Sequence, residues 1–252
     1  MVNIIMHGCN GKMRQVITKI VSEDKDAQIV AGIDIFDDGH NDYPVFKNFD
    51  ECTVTGDVVI DFSSEKAVDG LLDYCEKSKT PVVLCSTGLS EKQTERAENI
   101  SSSVAVLRSA NMSLGINTLM KVLKEVAPLF AEAGFDIEIV EKHHRLKVDA
   151  PSGTAIALAD SINEVLPEKY DYKYDRSEDR MKRPKNQIGI SSVRGGTIVG
   201  EHEVIFAGED EVIEFKHTAY SKNVFAKGAV EAAKFLKGKK AGLYTMKEVI
   251  DK

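Results

Sequence analysis

The segment from Glu138 to Ala155 reads Glu-Ile-Val-Glu-Lys-His-His-Arg-Leu-Lys-Val-Asp-Ala-Pro-Ser-Gly-Thr-Ala and gathers His143, His144, Arg145 and Lys147 into one short stretch. The whole chain carries 33 Lys plus Arg against 40 Asp plus Glu, a formal charge of −7, so this cluster is a local trap for an anion. Histidine gives and takes a proton near neutral pH, and lysine supplies fixed positive charge. Pro151 to Thr154 has the form of a helix start, so the backbone N–H groups of Gly153 and Thr154 would face an anion and the Thr154 hydroxyl would add a donor. The set suits a small di-acid. If a strand runs through His143 and His144 they face opposite sides, so their roles differ. Metal ligation by the pair lacks a third ligand at a familiar spacing, and no metal is expected. A solvated charged loop without chemistry would carry the same residue types.

A second chemical signal opens the chain. Gly8-Cys9-Asn10-Gly11-Lys12-Met13 follows the apolar run Val2–Met6 and precedes a helical stripe of Met13, Val16, Ile17, Ile20 and Val21. Glycines between a strand and a helix allow a tight turn whose free N–H groups can hold a pyrophosphate, and Asp34 follows at about the offset of a carboxylate that binds a ribose hydroxyl. The spacing predicts a dinucleotide site. Arg14 stands where a third glycine would let helix and strand pack closely. The run Asp34-Ile35-Phe36-Asp37-Asp38 is acidic without an adjacent arginine, which favours NADH over NADPH, with Lys12 as the counterweight. Asp61-Phe62-Ser63 and Cys85-Ser86-Thr87-Gly88 follow two later strands and could line the nicotinamide half.

Positioning these residues requires two kinds of architecture. The first 110 or so residues alternate short β-branched runs (Val2–Met6, Gln28–Asp34, Asp57–Asp61, Pro81–Cys85, Val104–Leu107) with helical periods, the form of a parallel sheet with crossover helices. A helix is expected from about Ser113 to Ala131, with a kink or early end near Pro128. Beyond it, Asp136–Lys142, Ile188–Arg194, Ile198–Phe206 and Glu211–His217 read as strands. The last three are separated by Gly195-Gly196 and Gly208-Glu209-Asp210, which predicts hairpins in a mixed, largely antiparallel sheet. Residues 168–185 hold almost no aliphatic side chain and are expected as an exposed excursion. Phe225, Gly228, Ala229, Ala232 and Leu236 mark a final helical stripe. The fold class is therefore α/β: a Rossmann-like nucleotide domain of residues 1–111 with 223–252, and an α+β substrate and oligomerisation domain of residues 112–222.

Composition limits the function classes. With 42% hydrophobic and 29% charged residues the chain has ordinary globular usage, far from the disordered corner. The acidic balance argues against nucleic acid or an anionic membrane as the main partner. No window nears the length of a membrane span and Val2–Met6 is too short for a signal peptide, so a cytoplasmic protein is expected. Cys9, Cys52, Cys75 and Cys85 lie in the first third without a CxxC pair, which fits reduced thiols. His7, His202 and His217 fall in apolar strands and read as structural.

The string Glu141-Lys142-His143-His144-Arg145-Leu146-Lys147-Val148-Asp149-Ala150-Pro151-Ser152-Gly153-Thr154-Ala155 resembles the signature E-x-H-H-x-x-K-x-D-A-P-S-G-T-A of the dihydrodipicolinate reductases, also called 4-hydroxy-tetrahydrodipicolinate reductases, of bacterial lysine and diaminopimelate biosynthesis. Ala110-Asn111-Met112-Ser113-Leu114-Gly115, Val193-Arg194-Gly195-Gly196, Gly200-Glu201-His202, Phe225-Ala226-Lys227-Gly228-Ala229 and Gly242-Leu243-Tyr244-Thr245-Met246 extend the likeness over nearly the whole chain. The resemblance implies hydride transfer from NAD(P)H to C4 of the unsaturated ring and protonation at C3. It implies His143 as proton donor, Lys147 as a second catalytic cation, and His144, Gly153 and Thr154 as holders of the substrate carboxylates. Cofactor contacts would fall on Gly8, Cys9, Asn10, Gly11, Lys12, Met13, Asp34, Cys85, Ser86, Thr87, Ser109, Ala110, Asn111 and Met112. A homotetramer built through the second domain's sheet, and hinges between the domains, are also implied. Arg14, Cys85 and Lys222 stand where the family commonly has glycine, glycine and arginine.

Two other functions fit parts of this pattern. Another small-acid NAD(P)-dependent dehydrogenase would need a different proton-handling set, and its thiol nucleophile cannot come from the second domain because all four cysteines lie in the first. A dinucleotide-sensing module with a degraded site would bind cofactor without turnover.

Overall fold

The structure, a computed structural model, describes residues 1–11, 13–37 and 39–251, with Arg14 described by its backbone alone. In chain order the elements are β1 (Val2–His7), α1 (Arg14–Ser22), β2 (Ala27–Ile33), β3 (Val45–Phe46), β4 (Val58–Asp61), α2 (Val68–Ser78), β5 (Val82–Leu84), α3 (Glu91–Ile100), β6 (Ala105–Leu107) and α4 (Leu114–Glu132). There follow β7 (Asp136–His143), α5 (Gly153–Val165), β8 (Asp171–Lys173), β9 (Gln187–Arg194), β10 (Gly200–Ala207), β11 (Val212–Ala219), α6 (Asn223–Leu236), β12 (Gly242–Tyr244) and α7 (Met246–Ile250). The chain forms two compact units, Met1–Leu114 with Asn223–Lys252, and Gly115–Lys222.

In the first unit the apolar runs form a seven-stranded sheet in the order β12-β6-β5-β4-β1-β2-β3, with every pair parallel. Such strands are covered on both faces and need no polar alternation. One face packs Ile17 and Val21 of α1, Ala229, Val230 and Ala233 of α6, and Val249 of α7. The other packs Leu71, Leu72 and Cys75 of α2 with Ala97 and Ile100 of α3. The strand order reverses beside β1: β2 and β3 continue to one side, β4, β5 and β6 to the other. A parallel sheet receives ligands outside its strand carboxyl ends at such a switch point.

The second unit holds a mixed five-stranded sheet in the order β11-β10-β7-β9-β8. β10 runs antiparallel to β7 and β11, while β9 runs parallel to both β7 and β8. The hairpin predicted at Gly195-Gly196 is absent: β9 and β10 lie on opposite sides of β7, so the glycines serve a crossing rather than a turn between paired strands. Strict alternation of buried and half-exposed residues in β7 and β10 puts Ile137, Ile139, Val204 and Phe206 on the face that packs with Leu123 and Ala127 of α4 and Leu158 and Ile162 of α5.

Two other expectations are corrected. Helix α4 spans nearly the expected range and has no early end at Pro128, continuing to Glu132. The 168–185 stretch is not purely an excursion, since Asp171–Lys173 adds an edge strand and Tyr170 and Tyr172 pack on the core in place of aliphatic residues. Arg176 and Arg183 pin this stretch to Glu138 at 3.0 and 2.9 Å. No described helix is long and apolar enough to cross a membrane.

Candidate active site

Two sets of residues carry chemistry, one in each unit. In the first unit β1 ends at His7 and Gly8 turns the chain with φ of +76°, a conformation that side chains rarely adopt. A Cβ on Gly8 would also lie 2.8 Å from the carbonyl oxygen of Phe62, so the turn closes against the loop after β4 only because glycine is there. Met13 caps α1 without a side-chain hydrogen bond. Asp34, just past β2, accepts the Asn10 N–H at 2.9 Å and the Phe36 N–H at 3.2 Å. Its carboxylate still has lone pairs for further donors.

These residues border a cleft of about 1080 Å³ that takes in Gly8, Gly11, Asp34, Phe62 and Ser63. The cradle fits a dinucleotide: glycine where a side chain would block the turn, a helix start without a side-chain cap, and an anchored carboxylate opposite. The cleft continues along α2 past Ala67 and Gly70 to Tyr74, and along Lys47 to Asp50. That extension gave no sequence signal.

The other proposed cofactor residues are spread differently. Cys9 is fully buried against Gly32 and Met112 is buried in the core, so their side chains face inward. Cys85 is half-buried after β5, and burial first, then the charge of Asp61, pushes its thiol well above the ordinary range. Ser86 Oγ lies 3.4 Å from Ser63 Oγ, while Thr87 is exposed. Ser109 is half-buried and Ala110 exposed, and Asn111 is buried with Oδ1 accepting the Ser113 N–H at 2.8 Å. None of Cys85 to Thr87 or Ser109 to Met112 lines the large cleft. Lys12 lies outside the described residues, as does the Arg14 side chain.

In the second unit, Glu141 and His143 sit two apart on β7 and so share a face. Glu141 is fully buried, and its Oε2 lies 2.6 Å from His143 Nδ1. Arg194, opposite His143 across the parallel β7–β9 ladder, grips both carboxylate oxygens at 2.7 Å each, and Ser152 N–H donates to Oε1 at 3.0 Å. Burial alone would raise the Glu141 carboxyl, but the hydrogen bonds from Arg194, Ser192, His143 and Ser152 hold it at about 2. An ionised carboxylate only accepts, so His143 Nδ1 donates to it and Nε2 is left for the transferable proton. Burial first, and then the charges of Lys147 and Arg194, hold His143 below its ordinary value against the pull of Glu141.

His202, read from the sequence as structural, stands edge-on to His143 at 5.1 Å and pairs its Nε2 with Ser152 Oγ at 3.0 Å. Burial, helped by the positive field of His143, pushes it down to about 4, so it is neutral at physiological pH. Gly200 faces the same imidazole, with the position of a Cβ only 3.1 Å from His143 Nε2. Arg194 and His202 could have been found from the two-residue period of β9 and β10 once their register beside β7 was known.

The turn beyond β7 brings Lys147 to 2.8 Å from Asp149. The Asp149 carboxyl is held low first by that lysine, with burial opposing, and also by the backbone N–H of Gly153. A carboxylate of the chain itself thus rests on Lys147, expected as a second catalytic cation, and on the start of α5, expected to hold a substrate acid. Ser152 caps α5 by accepting the Ala155 N–H at 3.2 Å, with Gly153 and Thr154 in the first turn. His144 is half-buried just past β7, and Arg145 is exposed. Among the described residues, no group of three or more His, Cys, Asp or Glu is arranged to hold a metal ion.

A parallel sheet with a glycine turn at its switch point, joined in one chain to an α+β unit bearing a buried imidazole–carboxylate pair and a cationic turn, is the make-up of a two-unit, nucleotide-dependent oxidoreductase. Residues 2–112 match the family model "Dihydrodipicolinate reductase, N-terminus" and residues 115–250 match "Dihydrodipicolinate reductase, C-terminus", so the chain belongs to the dihydrodipicolinate reductase family. It is 51% identical over 252 residues to the 4-hydroxy-tetrahydrodipicolinate reductase of Caldanaerobacter subterraneus subsp. tengcongensis, covering 100% of this chain and 99% of that one. It is 49% identical over 250 residues to the enzyme of the same name from Clostridium novyi, covering 99% of this chain and 98% of the relative. Among solved structures, the dipicolinate-bound dihydrodipicolinate reductase from Paenisporosarcina sp. superposes with a TM-score of 0.79 at 26% identity, covering 98% of this chain and 99% of that chain.

Proposed function

We propose that this chain is a 4-hydroxy-tetrahydrodipicolinate reductase, forming tetrahydrodipicolinate from dihydrodipicolinate in the lysine and diaminopimelate route. The observation that carries the reading is His143, buried on β7 with Nδ1 locked to an ionised Glu141, followed directly by the turn bearing Lys147, Gly153 and Thr154. NAD(P)H, when bound by the glycine turn, Asp34 and the loops after β4, β5 and β6, supplies the hydride. His144, Gly153 and Thr154 hold the two carboxylates, and Lys147 exchanges Asp149 for a substrate acid. Two negative charges next to the imidazole favour its charged form, so the substrate loads His143 with the proton it then delivers from Nε2 to C3.

NADH is favoured over NADPH. Asp34 is followed by Asp37 and Asp38 with no arginine beside them, and a 2′-phosphate would meet that acidic run. A homotetramer, working in the cytoplasm, is the proposed assembly. It is supported by the sheet face opposite α4 and α5, where Val193 is exposed beside the Lys142–Glu201–Lys216 ion pairs and Val212 is exposed at the other end of the strands.

The test supplies freshly made condensation product of pyruvate and aspartate semialdehyde and follows the absorbance of NADH and of NADPH. Oxidation of NADH at the higher kcat/KM is expected. Binding of either cofactor without any turnover would favour the sensing module.

A further inference from the structure

Three loops leave the neighbouring carboxyl ends of β1, β4 and β5, and one buried carboxylate ties them together. Asp61 is fully buried, and its Oδ1 lies 2.8 Å from His7 Nδ1. The same oxygen accepts the Ser63 N–H at 3.1 Å and the Ser63 hydroxyl at 2.6 Å, and that hydroxyl is 3.4 Å from Ser86 Oγ. Backbone bonds run alongside: Phe62 N–H to the His7 carbonyl at 3.0 Å, and Cys85 N–H to the Asp61 carbonyl at 3.0 Å. Phe49 stands edge-on to the His7 ring at 5.0 Å and Tyr74 stacks on Phe49 at 4.5 Å, so the imidazole is braced from the cleft side. His7, Phe49, Phe62, Ser63 and Tyr74 all line the cleft.

A buried polar pair of this kind adds little stability over a well-packed apolar pair, so stability alone does not explain its place here. Burial works to neutralise Asp61, and the adjacent His7, then the hydroxyls of Ser63 and Ser86, hold its carboxyl below the ordinary range. Its other oxygen, Oδ2, has no hydrogen-bond partner among the described residues, so the charge depends on the Oδ1 side. The gap between the glycine turn and the Phe62–Ser64 loop is set by these contacts.

We propose that His7 and Asp61 are positioning residues for the dinucleotide: the imidazole fixes the carboxylate, the carboxylate fixes Ser63, and together they hold the glycine turn and its facing loop at the spacing the nucleotide enters. This inference rests on reading the cleft as the NAD(P)H site.

Titration of the full chain with NADH, followed by fluorescence, tests it. His7→Gln should weaken Kd by about tenfold or more and Ser63→Ala by roughly fivefold, the scale of losing a polar contact to a buried carboxylate and of one ordinary hydrogen bond. The loss should appear in Kd and in the KM for NADH, with kcat changing far less, and affinity for dipicolinate should stay unchanged. The double variant His7→Gln/Asp61→Asn removes the buried charge, so its Tm should recover while NADH binding stays weak. Wild-type affinity in both single variants, or recovery of affinity together with Tm in the double variant, would overturn the proposal. If the unaltered protein binds neither NADH nor NADPH, the cofactor reading itself falls, and this inference with it.

Discussion

Each unit buries a carboxylate against an imidazole, and the two pairs are built differently. Glu141 has a second cation, Arg194, gripping both of its oxygens, so its charge stays compensated whether His143 carries one proton or two. Among the described residues, no arginine or lysine is ion-paired with Asp61: the His7 imidazole lies 2.8 Å away and the hydroxyls of Ser63 and Ser86 supply the rest of its support. The arginine is what frees a histidine to titrate. Where it is missing, imidazole and carboxylate lie against each other as fixed parts of the turn.

The largest expected effect comes from removing the titrating imidazole. His143→Gln should lower kcat by roughly 10²–10⁴-fold, with dipicolinate affinity by calorimetry little changed; undiminished turnover would end its assignment as proton donor. Arg194→Met probes the compensating cation, and leaving Glu141 with His143 alone should cost about 3–5 kcal/mol in urea unfolding. A loss no greater than that of an exposed ion pair would erase the distinction between the two sites.

Acid stability gives a third handle. His202 is held at about 4 against an ordinary 6.5, so between those values the unfolded chain binds a proton that the folded one refuses. Glu141 is held at about 2 against 4.5, so its contribution is complete above pH 4.5 and is lost as pH falls toward 2. The Tm should therefore fall from pH 6.5 downward, and His202→Asn should flatten the upper part of that slope.

Smaller effects test the turn. Thr154→Val should raise the substrate KM by about tenfold, the worth of a hydroxyl bonded to a charged group. The kcat/KM profile should decline as pH rises through the lowered His143 value. Lys147→Met, besides slowing the reaction, should move that decline to higher pH, because a positive neighbour is removed. A shift to lower pH would show that Lys147 does not act on the imidazole.

The parallel sheet, its glycine turn and the cationic turn were legible because each depends on local order: apolar runs, a glycine after a strand, a Pro-Ser-Gly-Thr helix start. Elements set by distant partners were not. β3 and β12 are too short to show a period, and they exist through pairing with β2 and β6. β8 is made of Asp171, Tyr172 and Lys173, a strand held by its neighbour and by the hydroxyl of Tyr172 on Asp160 rather than by aliphatic burial. The Gly195-Gly196 dipeptide looked like a hairpin turn because nothing nearby shows that β7 lies between the flanking strands. The roles of His7 and His202 were hidden for the same reason. Each is defined by a residue some 50 positions away, Asp61 in one case and Ser152 in the other.

The first unit is completed by α6, whose Ala226, Ala229, Val230 and Ala233 fill one side of its core, although α6 follows residues 115–222 in the chain. During synthesis the inserted unit is fully present before that helix exists. Until α6 leaves the ribosome, the β1–β6 sheet lacks part of the cover on one apolar face, which stays open to chaperones while the inserted unit is being made.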